Sequence, residues 1–125
     1  MLTVEDEDGD RDERISRQTP RYGMPVSVLV DEDTASAAEL FASILQHHGR
    51  ARVVGESTFG KHSVQRFNPL PRQGQAELCT VARCWLPNGS PAAPAIPDVC
   101  GDLTEAIGAV ADRRVPEPAP HRTAP

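Results

Sequence analysis

The apolar residues of this chain come in short bursts separated by turn chemistry, and the period of each burst predicts an element. After Pro25, residues 26–30 (VSVLV) form a continuous β-branched run, as in a buried strand. The run breaks at Asp31-Glu32-Asp33-Thr34, whose side chains favour turns and helix starts. Residues 35–49 (ASAAELFASILQHHG) then place Ala37, Phe41, Ile44, Leu45 and His48 on one helical face, with Gly49 as the stop. A second short strand is predicted at 51–55 and a loop at 56–60, after which 62–70 continues extended. Residues 75–85 alternate as a further strand, ended by the Pro87-Asn88-Gly89 turn. The last helix begins at Asp102, with Glu105 in capping-box register and Leu103, Ile107 and Val110 on its apolar side. Strand, helix, strand and then further strands is an α/β pattern. Residues 14–22 fit either the end of a strand or a loop.

Composition changes this picture at the two ends. The 125 residues suffice for one domain, and an apolar content of 38% with five aromatics allows only a small core. The net charge of −5 sits entirely in residues 1–14, where seven acids face two bases; the rest of the chain is neutral. Residues 1–22 are therefore expected to form an acidic, solvated and mobile arm. Eight of the twelve prolines lie at or beyond Pro87, and residues 116–125 read as a proline-rich tail outside the core. There is no basic field for nucleic acid, no apolar run long enough to span a membrane, and no signal-peptide pattern at the start.

Other chemistries find little support. Cys79, Cys84 and Cys100 are odd in number, lack metal-knuckle spacing and read as small hydrophobes. If Cys79 and Cys84 share a strand, their odd separation puts them on opposite faces. Adjacent His47 and His48 point in different directions on a helix, and His62, beside Lys61, points elsewhere if that segment is extended. The acidic run 5–13 lacks the ligand spacing of a calcium loop.

A stronger constellation joins Ser36, Lys61 and Gln65. Ser36 follows an apolar strand and opens a small-residue helix. Its hydroxyl can project from a tight turn, with the following N–H groups at the positive end of the helix dipole. A serine needs a base, and lysine serves only when desolvation makes it neutral. Gln65, four residues on, can orient the amine without adding charge. Arginine stays protonated and cannot replace it, so the single lysine among thirteen basic residues falls where chemistry requires one. The bland alternative, a helix-capping serine and a surface lysine, stays open on spacing alone.

These residues also carry a family resemblance. Thr34-Ala35-Ser36-Ala37-Ala38-Glu39, then His48-Gly49-Arg50, then Val54-Gly55-Glu56-Ser57-Thr58-Phe59-Gly60-Lys61 and Ser63-Val64-Gln65 resemble the catalytic stretch of the carboxy-terminal processing (tail-specific) serine peptidases, family S41. A looser likeness continues through residues 78–83, 87–89 and 96–98, so that it spans about 24–99. The resemblance implies an α/β partial peptidase core of the ClpP/crotonase-like type over residues 23–115. It also implies Ser36 as nucleophile, Lys61 as general base, Gln65 as its positioning residue and the Ala37 N–H as an oxyanion donor. Substrates would be polypeptides with apolar C-terminal tails, with no cofactor and no metal. Family members also carry an upstream strand with a Gly-Gly turn and usually a PDZ domain, and neither is present. A missing core or PDZ segment, or an oligomeric partner, is therefore expected. Cys84 and Trp85 stand where the family usually has aromatic or apolar residues. The family works mostly outside the cytoplasm, at the cell envelope. A catalytically silent remnant that binds peptide or a partner is the other reading.

Overall fold

In the computed structural model, which describes residues 1–16 and 23–111, eight elements form two sheets and two helices. The strands are β1 (Leu2–Asp6), β2 (Arg11–Arg14), β3 (Ser27–Val30), β4 (Arg52–Gly55), β5 (Ser63–Pro69) and β6 (Ala76–Trp85). The helices are α1 (Ala37–His47) and α2 (Leu103–Ala111). The parallel pair β3–β4, joined across α1, is the strand–helix–strand unit read from the sequence. The other strands make an antiparallel sheet in the order β2-β1-β6-β5. The α/β class stands.

Local chemistry accounts for these boundaries. α1 ends as its sequence dictates: Gly49 takes φ 60°, its N–H donates to the Gln46 carbonyl at 2.9 Å, and Arg50 N–H reaches the Leu45 carbonyl at 2.8 Å. At the head of α2 the Asp102 N–H donates to Glu105 Oε2 at 2.9 Å, and Asp102 Oδ1 accepts from Thr104 N–H at 2.7 Å. Gly55 closes β4 at φ 127°, and a Cβ there would lie 1.9 Å from the Val30 carbonyl oxygen. Only glycine lets the ends of β3 and β4 approach this closely. Residues 96–98 are pinned to α1 and β4 by Asp98. Its carboxylate accepts Val53 N–H at 2.8 Å and Gln46 Nε2 at 3.0 Å.

The core is small: Val30, Ala42, Val53 and Ala95 are buried together, with Val28 against them. Here the helical faces depart from expectation. α1 turns Glu39, Ala42 and Ser43 inward, while Ala37, Phe41 and His48 are exposed and Ile44 and Leu45 are half-buried. α2 rests on β3 and β4 through Ala106 and leaves Leu103, Ile107 and Val110 exposed. The physical reason is close approach by small residues, which hydrophobic periodicity undervalues. Periodicity also cannot anticipate a buried carboxylate that finds enough donors. All three phenylalanines remain largely exposed, at 59% for Phe41, 68% for Phe59 and 71% for Phe67, so this core does not use its largest apolar side chains.

The amino-terminal segment departs furthest. Instead of a solvated arm, residues 2–14 form a hairpin that docks on β6, with Val4 opposite Cys84 and Thr3 opposite Trp85. Asp6 closes the turn by accepting Asp8 N–H at 3.1 Å and Asp10 N–H at 2.9 Å. Arg11 donates to Glu5 at 2.6 Å and lies 4.6 Å over the Trp85 ring. Charge density alone argued for disorder, but an edge hairpin needs only backbone pairing and a few inward apolar residues. Charged side chains are well suited to an exposed edge. The expected boundary near residue 22 and the proline-rich tail lie outside the described residues.

The register between β5 and β6 shifts between Val64 and Gln65, where β6 carries one extra residue. This upsets the alternation used to separate Cys79 from Cys84. Five residues of extended chain still hold them ~16 Å apart, beyond bridging distance, and all three cysteines are free.

Candidate active site

The β3–α1 junction is built around a strained serine. Asp31 and Thr34 close the preceding turn, with Thr34 Oγ1 donating to Asp31 Oδ1 at 2.7 Å. Ser36 then takes φ 57° and ψ −123°, and it is the one non-glycine residue with positive φ among those described. Such a conformation costs ~1–3 kcal/mol and persists only where surrounding contacts enforce it. Ala37 follows as the first helical residue, where backbone N–H groups lack intrahelical acceptors.

The enforcing contacts come from Glu39, one turn into α1 and 1% exposed. Its Oε2 accepts the Ser36 N–H at 2.8 Å and the Lys61 N–H at 2.6 Å. Its Oε1 accepts the Thr58 hydroxyl at 2.7 Å and the Gly60 N–H at 2.8 Å. Burial pushes the Glu39 carboxyl up, but the bonds from Thr58, Gly60, Ser36 and Lys61 outweigh it and hold the group below its ordinary value. Thr58 is itself buried, and its Oγ1 accepts the Ala95 N–H at 2.7 Å. A further strut joins the loops, from Phe59 N–H to the Thr34 carbonyl at 3.0 Å. Gly60, at φ 92°, sits where a Cβ would lie 2.9 Å from Pro94 Cγ.

Ser36, Ala37, Lys61 and Gln65 all line one groove of about 500 Å³ between the head of α1 and the antiparallel sheet. Leu2 and Val4 of β1, Leu40, Val64, Phe67 and Leu78 supply its apolar wall. Every site residue expected from the sequence is therefore brought to one place. The sequence reading missed three contributions. Glu39 was visible as the last residue of a Ser-x-x-Glu capping signature. Thr58 gave no signal, and neither did the wall that the acidic hairpin contributes. Lys61 and Gln65 are solvent-exposed on this chain, whereas desolvation of the lysine was expected.

The other candidates stay apart from this groove or carry no partner chemistry. The His47 and His48 rings meet edge to face at 5.2 Å. Among the described residues no three His, Cys, Asp or Glu side chains gather as a metal site. His62 and Cys84 border the groove; Nδ1 of His62 is buried without a partner, and burial pushes the Cys84 thiol up. No helix among the described residues is long and apolar enough to cross a membrane.

A family model described as peptidase family S41 matches residues 1–99, a span that begins with the hairpin rather than at residue 24. The carboxy-terminal processing protease CtpB of Bacillus subtilis is 33% identical over 71% of this chain and 18% of its own length. A carboxyl-terminal-processing protease of Picosynechococcus is 46% identical over 54% of this chain and 16% of its own. Among solved structures, a photosystem II D1 C-terminal processing protease superposes with TM-score 0.66 at 31% identity, covering 89% of this chain and 30% of that one. A lipoprotein from Streptococcus agalactiae shares the fold with TM-score 0.73 at 20% identity, covering 90% of this chain and 44% of that one. The chain thus spans less than a fifth of the length of these two sequence relatives.

Proposed function

Since this chain belongs to peptidase family S41, we propose that its groove is the serine–lysine part of a peptidase site cleaving polypeptides with apolar C-terminal tails. The observation that carries this reading is the convergence of Ser36, Ala37, Lys61 and Gln65 on one apolar-walled groove. Ser36 Oγ attacks the scissile carbonyl carbon while the neutral Lys61 amine takes the hydroxyl proton. The resulting oxyanion is met by the Ala37 N–H at the helix start. Collapse breaks the C–N bond, and the Lys61 ammonium returns its proton to the departing amine. Water, deprotonated by the regenerated amine, then hydrolyses the ester. Gln65 orients the lysine, and Leu2, Val4, Phe67 and Leu78 receive apolar side chains.

A neutral lysine needs low-dielectric surroundings, and Lys61 is exposed here. Its cover comes from bound substrate together with the remainder of a peptidase core, a PDZ segment or an oligomeric partner. The exposed faces of Phe41, Leu103 and Ile107 support such packing. The setting proposed is extracytoplasmic, at the cell envelope or its organellar equivalent; some relatives are named as chloroplastic.

The test is cleavage of an unfolded polypeptide with an apolar tail by the protein and its Ser36→Ala, Lys61→Ala and Lys61→Arg variants, from neutral pH to ~10. Cleavage by the parent and loss in all three variants is expected, because arginine stays protonated. Binding without cleavage at every pH favours the silent peptide-binding remnant. The exposure of Lys61 is the observation on that side.

A further inference from the structure

We propose that Glu39 is the positioning residue of this site, its Oε2 holding the nucleophile's segment and the base's segment in a single geometry. The inference rests on the Ser36–Lys61 reading above. One oxygen atom accepts both the Ser36 N–H at 2.8 Å and the Lys61 N–H at 2.6 Å, across 25 positions of sequence. The other oxygen takes Thr58 Oγ1 and Gly60 N–H, so the whole lysine loop hangs from one carboxylate on α1.

The polarity of this cluster is fixed. Ser36, Gly60 and Lys61 offer backbone N–H groups, which only donate. Thr58 Oγ1 accepts from Ala95 N–H, and its own proton points to Glu39. Three backbone N–H donors and a hydroxyl that donates surround the carboxylate, a set that the ionised form satisfies in full. An amide turned either way would bring an N–H against a backbone N–H, at Gly60 or at Ser36 and Lys61. Among the described residues Glu39 makes no ion pair, and Lys61 meets it through the backbone. The attachment therefore leaves the lysine side chain free to work in the groove.

Geometry supports positioning over simple stability. A capping glutamate needs only the Ser36 N–H to complete its reciprocal bond, yet here the same oxygen is shared with the lysine. Ser36 is held at positive φ, the conformation in which its N–H meets Glu39 while the hydroxyl-bearing residue lines the groove. Gly60 has the positive φ that lets the lysine loop fold against the carboxylate.

The experiment compares the parent protein with Glu39→Gln, and with Thr58→Val as a milder variant that removes one of the four donors. Acylation of Ser36 by a small peptide ester with an apolar side chain is followed at low and saturating ester. Amide hydrogen exchange is read at Ser36, Gly60 and Lys61, with Arg52 and Leu86, whose N–H groups donate to the Val26 and Ser90 carbonyls, as controls. In Glu39→Gln the acylation rate constant at saturation falls ~100-fold while half-saturation moves less than about threefold, since a displaced nucleophile loses rate before binding. The three loop amides lose protection together by tenfold or more, roughly the loss of a charge-assisted bond, and the control amides do not move. Thr58→Val shows the same pattern at smaller amplitude and decides the matter if Glu39→Gln does not fold. Unchanged acylation and unchanged loop protection in a folded variant overturn the proposal. So does a loss of protection spread equally to the control amides, which marks a merely structural role. If the parent protein forms no Ser36 ester at all, the peptidase reading fails; joint release of the three amides still upholds the tether, and their independent exchange overturns it.

Discussion

Ser36 provides a test of backbone strain that separates it from chemistry. Replacing it by alanine removes the hydroxyl and keeps the Cβ at φ 57° and ψ −123°. Replacing it by glycine removes both. In an ordinary helix or strand the alanine variant is the more stable by ~0.5–1 kcal/mol, because glycine loses more backbone freedom on folding. At positive φ the order reverses, since a Cβ there costs ~1–3 kcal/mol. Setting the terms against each other, the glycine variant should be more stable than the alanine variant by ~1 kcal/mol and at most ~2.5 kcal/mol. In a folded unit of this size ~1 kcal/mol moves Tm by ~4–8 °C. The backbone N–H bond to Glu39 is open to both variants, so it does not bias the comparison. Thermal unfolding by circular dichroism, with urea midpoints as a check, measures the difference. An alanine variant more stable than glycine by the ordinary ~0.5–1 kcal/mol would refute the strain. Neither variant should form an acyl-enzyme.

Three further outcomes follow from contacts in the same region. Gly55→Ala should destabilise by more than ~2 kcal/mol in urea unfolding, because its Cβ would meet the Val30 carbonyl oxygen at 1.9 Å. Thr58→Val should cost ~2–4 kcal/mol by leaving the buried Ala95 N–H unsatisfied and taking one of the two donors from Glu39 Oε1, and Thr58→Ser should recover most of it. The folded-state pKa of Glu39 lies below its ordinary 4.5, so its stabilisation is fully present above that value and is lost as pH falls through the folded value. Urea midpoints across acid pH should therefore show the parent protein's advantage over Glu39→Gln shrinking only below about pH 4.5. An advantage unchanged down to pH 2 would contradict the lowered value.

What was legible in the sequence was mostly local. The end of α1 at Gly49 and the head of α2 at Asp102 and Glu105 follow from capping chemistry within a few residues, and both stand. The strands around residues 27–30, 52–55, 63–69 and 76–85 were set by β-branched runs and bounding turns. Ser36, Lys61 and Gln65 could be singled out as candidates because a nucleophile, a base and an orienting amide restrict the residue types that would serve, and the three line one groove. Facing was less legible: Phe41 and Leu103 satisfied helical periodicity yet point away from a core too small to reach them. The hairpin at residues 2–14 was hidden by its charge, since its stabilisation comes from pairing with a strand more than seventy positions away.

The sequence by itself determined the α/β succession, the helix caps and the candidate residues for the proposed chemistry, because each depends on side-chain type and short-range spacing. Only the tertiary structure decided that the acidic start becomes a groove wall, that Thr58 is buried, and that Glu39 joins the serine and lysine loops. These depend on donors that come from segments 19 to 22 positions beyond the acceptor. A carboxylate's surroundings are fixed by where distant backbone N–H groups end up, and no local pattern of polar and apolar residues encodes that.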